Sequence, residues 1–163
     1  MAAQPQDRGR GRKKQDLPDL SFLDDGFYNE QGIRPELLDE EAHKLAKNYF
    51  GPRGRKFNQV SSSQMRRFFG DVRKLEEMMR DDEINLDSTE AEDLKQYPAM
   101  IKLLKSKLAY AAGRKDVKLS QAFASTMSTA VDKVETPRDF KAFILFFESI
   151  MGYFYGEGGE RIR

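Results

Sequence analysis

TPRDFKAFILFFESIMGYFYG, residues 136–156, is the stretch on which the fold turns. Thr136, Pro137 and Asp139 supply a cap, a first-turn residue and an early acid, the signature of a helix start. Along that helix Phe140, Phe143, Ile144, Phe147, Ile150, Met151 and Phe154 fill one face, and Leu145, Phe146 and Tyr153 carry apolar character around the other side. A helix apolar nearly all round sits at the centre of its own bundle or is shared with a neighbouring subunit. Leu145, Phe146 and Tyr153 are therefore the candidate subunit-interface residues.

Upstream of this helix the apolar spacing stays helical. Leu119, Phe123, Met127, Ala130, Val131 and Val134 form one stripe, joined to the last helix by a short connection. Before it, Pro98 opens and Gly113 closes a helix with Ile101, Leu104, Leu108, Ala111 and Ala112 inward. The sharpest start is at Ser61, where Ser61 and Gln64 fit a capping box and Val60 and Met65 a hydrophobic staple. At about 100° per residue, Phe68, Phe69, Val72, Leu75 and Met79 gather on one side of that helix, with Arg66, Arg67, Gly70, Arg73 and Lys74 opposite. A first helix begins at Pro35, with acids early and Lys44 and Lys47 late, and ends at Gly51 and Pro52.

Leu17 to Ile33 has enough apolar surface to dock but too little periodicity for a helix, so it is read as an arm. Residues 1–16, rich in Gln, Gly and Arg, have little to bury. Nothing alternates with period two for long enough to suggest a sheet, and no repeat is evident. The expected fold is all-α: a single compact bundle of about five helices over residues 35–159. A disordered, flexible basic tail and docking arm (1–34) precede it, and a C-terminal tail (160–163) follows.

Chemistry-bearing residues are scarce. The chain has no cysteine and one histidine, His43, which removes disulfides and thiolate metal sites and leaves no second imidazole for a transition-metal cluster. His43 is expected to be a solvated helix residue. Asp24 with Asp25, and Asp81 with Asp82 and Glu83, lack catalytic partners for a magnesium-dependent nuclease. Glu148 has no second carboxylate at defined spacing and is expected to pair with Arg114 or a lysine. No catalytic residue, metal site or cofactor is expected. No apolar run could span a bilayer, and the N-terminus lacks the apolar stretch of a secretory signal, so a cytoplasmic protein with no membrane partner is expected.

A net charge of +1 conceals blocks of opposite sign. Residues 50–80 hold eight basic residues against three acidic, and residues 95–118 seven against one; between them, residues 81–94 hold seven acids and no base. Such a pattern points to gripping a polyanion rather than transforming a substrate. Arg66 and Arg67 stand in a first helical turn, where the helix dipole disfavours positive charge, so local stability does not explain them. Gly70, in the same arc, would let a sugar-phosphate backbone approach, or would relieve helix–helix crowding. Lys107, Tyr110 and Arg114 line one flank of their helix and could clamp a nucleic acid strand, with cations on phosphates and the phenol on a base or ribose. A packing role for Tyr110 and a solvated ion-paired face for the arginines are the alternatives. Arg53, Arg55 and Lys56 lie among glycines and a proline, in what reads as a mobile basic loop.

Three blocks carry a family likeness: the Val60–Leu75 helix with its SSSQMRRFF start, the KSKLAYAAGR segment ending at Arg114, and the run RDFKAFILFFESIMGYFYGEGG. Together they resemble the small subunit of the type III-A CRISPR interference complex, the Csm complex. The resemblance implies a non-catalytic RNA-binding scaffold in antiviral defence, stacked in several copies along the guide RNA–target RNA duplex. Its partners would be the backbone subunits, the large signature subunit and other copies of itself. It makes Arg66, Lys107, Tyr110 and Arg114 candidates for RNA or inter-subunit contact; Arg67, Arg73 and Lys74 join by geometry, and Arg53, Arg55 and Lys56 as the loop. Base pairing would read the sequence, while the protein touches phosphates and sugars. A purely structural helical interaction module without RNA contact is the alternative.

Overall fold

The computed structural model describes residues 17–159, so the basic tail and the C-terminal tail lie outside the described residues. The described residues are all-α apart from one small hairpin, in which β1 (Tyr28–Asn29) pairs antiparallel with β2 (Gly32–Ile33). Six α-helices follow: α1 Pro35–Leu38, α2 Glu40–Leu45, α3 Ser62–Asp81, α4 Tyr97–Ala112, α5 Gln121–Asp132 and α6 Pro137–Gly156.

Capping chemistry sets the clearest boundaries. Ser61 and Gln64 exchange side-chain and backbone hydrogen bonds in a capping box at the start of α3, and Thr136 and Asp139 do the same for α6. Ser120 caps α5. Gly113 closes α4 with φ −91°, so the left-handed freedom of glycine is not used there.

α6 is the central element. Phe140, Phe143, Ile144, Phe146, Phe147, Ile150 and Phe154 are all buried along it. Phe147 packs against Phe68 of α3 and Phe123 of α5, with ring centroids at 5.6 and 5.9 Å, and Phe123 meets Phe50 at 5.3 Å. Edge-to-face and offset ring pairs of this kind add specificity to the area they bury.

The second apolar face of α6 is covered from within the chain, which corrects the expectation for Phe146. That ring has no exposed surface, and Phe22 of the 17–33 arm lies 6.1 Å from it. Leu23 and Phe27 of the arm are buried in the same core. Arg34 ties the arm down by donating from Nη1 to the carbonyls of Phe22 and Gly26, at 2.7 Å each. Tyr28 donates to the Arg138 carbonyl at 2.8 Å, while the Arg138 guanidinium sits 3.7 Å from the Tyr28 ring centroid. Tyr153 is also engaged, donating to Asp39 at 2.7 Å and stacking on His43 at 4.4 Å. Leu145 alone of the three candidates is exposed, at 36%.

The first helix differs from expectation as well. It breaks at Asp39, whose backbone (φ −126°, ψ −91°) leaves the helical region, and it ends in a π-turn, Ala46–Phe50, closed by Gly51 N–H to Ala46 carbonyl at 2.8 Å. His43 is not a freely solvated residue: its Nε2 lies 2.8 Å from Glu157 Oε1, and its ring is stacked on Tyr153.

Candidate nucleic-acid interface

α3 and α4 run antiparallel, joined at one end by the acidic connector and parted at the other by a groove of about 580 Å³. Arg67, Lys107, Tyr110 and Arg114 all line this groove, so side chains 47 residues apart in sequence converge on one concavity. The helical register accounts for it. Arg67 and Asp71 are one turn apart on the α4 side of α3, and Lys107, Tyr110 and Arg114 recur at three- and four-residue steps on α4.

Each cation has a definite environment. Lys107 Nζ is 3.4 Å from Asp71, and Arg114 is bonded to Asp116 through Nε and Nη2 at 3.2 and 3.1 Å. That guanidinium holds the Asp116 carboxyl below the usual carboxylate range. Arg67 has no partner among the described residues. Tyr110 is 75% exposed and its hydroxyl is likewise unpartnered among them, so the packing alternative does not describe it.

The rest of the basic arc divides across α3. Arg66 donates from Nε to the Tyr155 hydroxyl at 3.2 Å, and Arg73 bonds Glu76 at 2.8 Å and approaches Glu148 to 4.0 Å. Both therefore face α6, and Glu148 pairs with Arg73 rather than with Arg114 or a lysine. Lys74 is exposed and has no partner among the described residues. Gly70 is exposed too, and among the described residues no atom outside its own helix backbone lies within 4 Å of where its Cβ would stand, so crowding among them does not require it.

The loop bearing Arg53, Arg55 and Lys56 is tied to its surroundings by specific contacts. A Cβ on Gly54 would fall 2.1 Å from the Tyr49 carbonyl oxygen, an approach open only to glycine. Gln59 Nε2 donates to the carbonyls of Gly54 and Pro52 at 2.9 and 3.3 Å, and Arg53 Nε lies 3.8 Å from Glu157.

Sequence reading missed the groove's other walls. Ser61, Ser63, Gln64 and Ser106 supply polar edges, and Phe68, Leu108, Ala111 and Leu119 an apolar floor. Val117, 65% exposed, closes one end. Only the turn that folds residues 113–120 back toward α3, held by Gln64 Nε2 to the Lys118 carbonyl at 3.1 Å, brings Val117 and Leu119 there. Among the described residues no group of three or more His, Asp or Glu is disposed to hold a metal ion, and no helix is long and apolar enough to cross a membrane.

A family model described as Csm2 Type III-A matches residues 33–159. The chain belongs to that family. It is thus a subunit of a type III-A CRISPR complex. The Csm2 match takes in every α-helix and the whole groove, and it leaves the arm outside apart from Ile33. No curated protein and no solved structure matches the chain.

Proposed function

We propose that this Csm2-family subunit is a non-catalytic RNA-binding scaffold that lies in several copies along the guide RNA–target RNA duplex of its complex, in cytoplasmic antiviral defence. Backbone subunits, the large signature subunit and neighbouring copies are its protein partners. The observation that carries the reading is the convergence of Arg67, Lys107 and Arg114 on one groove, continued outward by the exposed arc of Arg66, Arg73 and Lys74 on α3. Cations held on rigid helices position a ribose-phosphate chain without reading its bases, as a scaffold on a base-paired duplex requires.

The test is the salt dependence of RNA binding by the full chain. With about three to five phosphates engaged, log K against log salt falls with a slope near −0.7 per contact on single strands and −0.9 on a B-form duplex. Replacing Arg66, Arg67, Arg73 and Lys74 together by alanine should weaken binding and flatten the slope; unchanged binding would defeat the proposal.

A structural role is compatible with the same body. Gly70, Gly152 and Gly156 have open space above them, and Leu145 is exposed on the same side of α6 as the last two. That bare α3–α6 face suits close approach by a neighbouring copy.

A further inference from the structure

We infer that the α3–α4 groove seats one unstacked RNA base together with its adjacent phosphate, a contact distinct from tracking the duplex backbone and resting on the RNA-binding reading above. A stripe of cations that only follows phosphates needs no concavity. Here the cations rim a hollow of about 580 Å³, within the range of about 300–1,000 Å³ typical of small-ligand sites. Its floor is apolar, from Phe68, Leu108, Ala111 and Leu119.

The ligand that matches such a site has a flat apolar face and an anion a few ångströms away. A base-paired duplex presents ribose and phosphate to a protein surface and keeps the faces of its bases inside the stack. It would neutralise Arg67 and Arg114 but leave the exposed Tyr110 ring and Val117 at the mouth of the groove in water. A nucleotide out of the stack satisfies both parts: its base enters over the floor beside Tyr110, and its phosphate meets Arg67 and Arg114. Tyr110, 75% exposed with an unpartnered hydroxyl, is placed to stack on that base. Lys107, held 3.4 Å from Asp71, offsets the one carboxylate among the lining residues, and Arg114 is paired with Asp116 just outside them, so Arg67 leaves the rim with a net positive charge.

The experiment compares two single-stranded RNAs of equal length and charge, an oligouridylate and its abasic ribose-phosphate counterpart, for binding to the full chain at fixed salt. The expected result is that the base-bearing strand binds about tenfold tighter. Tyr110→Ala should abolish that preference, Tyr110→Phe should keep it, and neither should change the salt slope. The exposure of Tyr110 leaves the core untouched in both variants, and a wild-type helical circular dichroism spectrum verifies this. Equal binding of the two strands by the unaltered chain would overturn the base-seating inference and leave the RNA-scaffold reading standing. Failure to bind either strand would overturn both.

Discussion

Glu157 gathers the His43 ring and the Arg53 guanidinium at the end of the molecule where α2, the basic loop and the C-terminus of α6 meet. His43 bonds it at 2.8 Å and Arg53 lies 3.8 Å away. The hydrogen bond from His43, helped by the Arg53 charge and against some desolvation, holds the Glu157 carboxyl below its ordinary value of 4.5. A carboxyl depressed in the folded state contributes stability that is present above the unfolded value and is lost as pH falls through the folded one. Glu157→Gln should therefore lower the urea midpoint at pH 7, and the gap to the unaltered chain should close as pH drops below about 4. A gap that stayed constant across that range would show that the ionised carboxylate contributes nothing. In the sequence His43 reads only as a solvated residue on a helix rich in charge. Its partner lies 114 residues away, and no local pattern announces such a pairing.

At the scale of elements, α3 carries the cost of a helix-interior glycine that no contact among the described residues explains. Gly70 is exposed with nothing above it, so alanine fits without strain and restores about 0.8–1 kcal/mol of helix propensity. Gly70→Ala should raise the stability of the isolated chain by about that amount in urea titrations; a loss of stability would mean that the position is constrained within the fold. Should the same variant assemble poorly with its complex, the α3–α6 face is where another body comes close. The elements readable in advance are those whose ends carry their own chemistry. Ser61 with Gln64 and Thr136 with Asp139 form the capping boxes that their spacing dictates, and the α3 stripe is buried as its periodicity requires except at Phe69, which is half-buried. The first helix was less readable because its break depends on distant groups: Asp39 leaves the helical region where Tyr153 bonds its carboxylate, and Leu37 is fully buried beside it. The burial of Phe146 is hidden from the sequence for a related reason. Its apolar face demanded a cover, and the sequence did not reveal that the chain's own arm provides one through Phe22.

Across the whole molecule, charge is sorted by position along the α3–α4 pair. The groove occupies residues 61–71 and 106–119, whereas the acidic connector, residues 81–94, joins the far ends of the two helices. At about 1.5 Å per residue, the stretch of α3 from Asp71 to Asp81 separates the groove from the connector by about 15 Å, close to two Debye lengths at physiological salt, where that length is about 8 Å. Glu90 and Glu92 are exposed at the acidic pole. Replacing both by glutamine should leave RNA affinity unchanged at about 0.15 M salt and strengthen it at about 0.01 M, where screening extends over about 30 Å. An effect at the higher salt would place RNA against the connector itself. The grouping of Arg67 with Lys107, Tyr110 and Arg114 was half visible, since each helix announced its own basic flank. What the sequence withheld was the distance between the flanks, which the core packing of Phe68 and Leu108 and the turn at residues 113–120 determine.

Ser61 has two tasks: its hydroxyl receives the Gln64 N–H at 3.0 Å to begin α3, and the same residue forms part of the groove wall. The lip of the groove is therefore already rigid before any visitor arrives, and little ordering entropy remains to be lost on capture. With a cationic rim drawing in an anionic strand, association should run close to the speed of encounter, and the lifetime of the bound state becomes the quantity that distinguishes one strand from another.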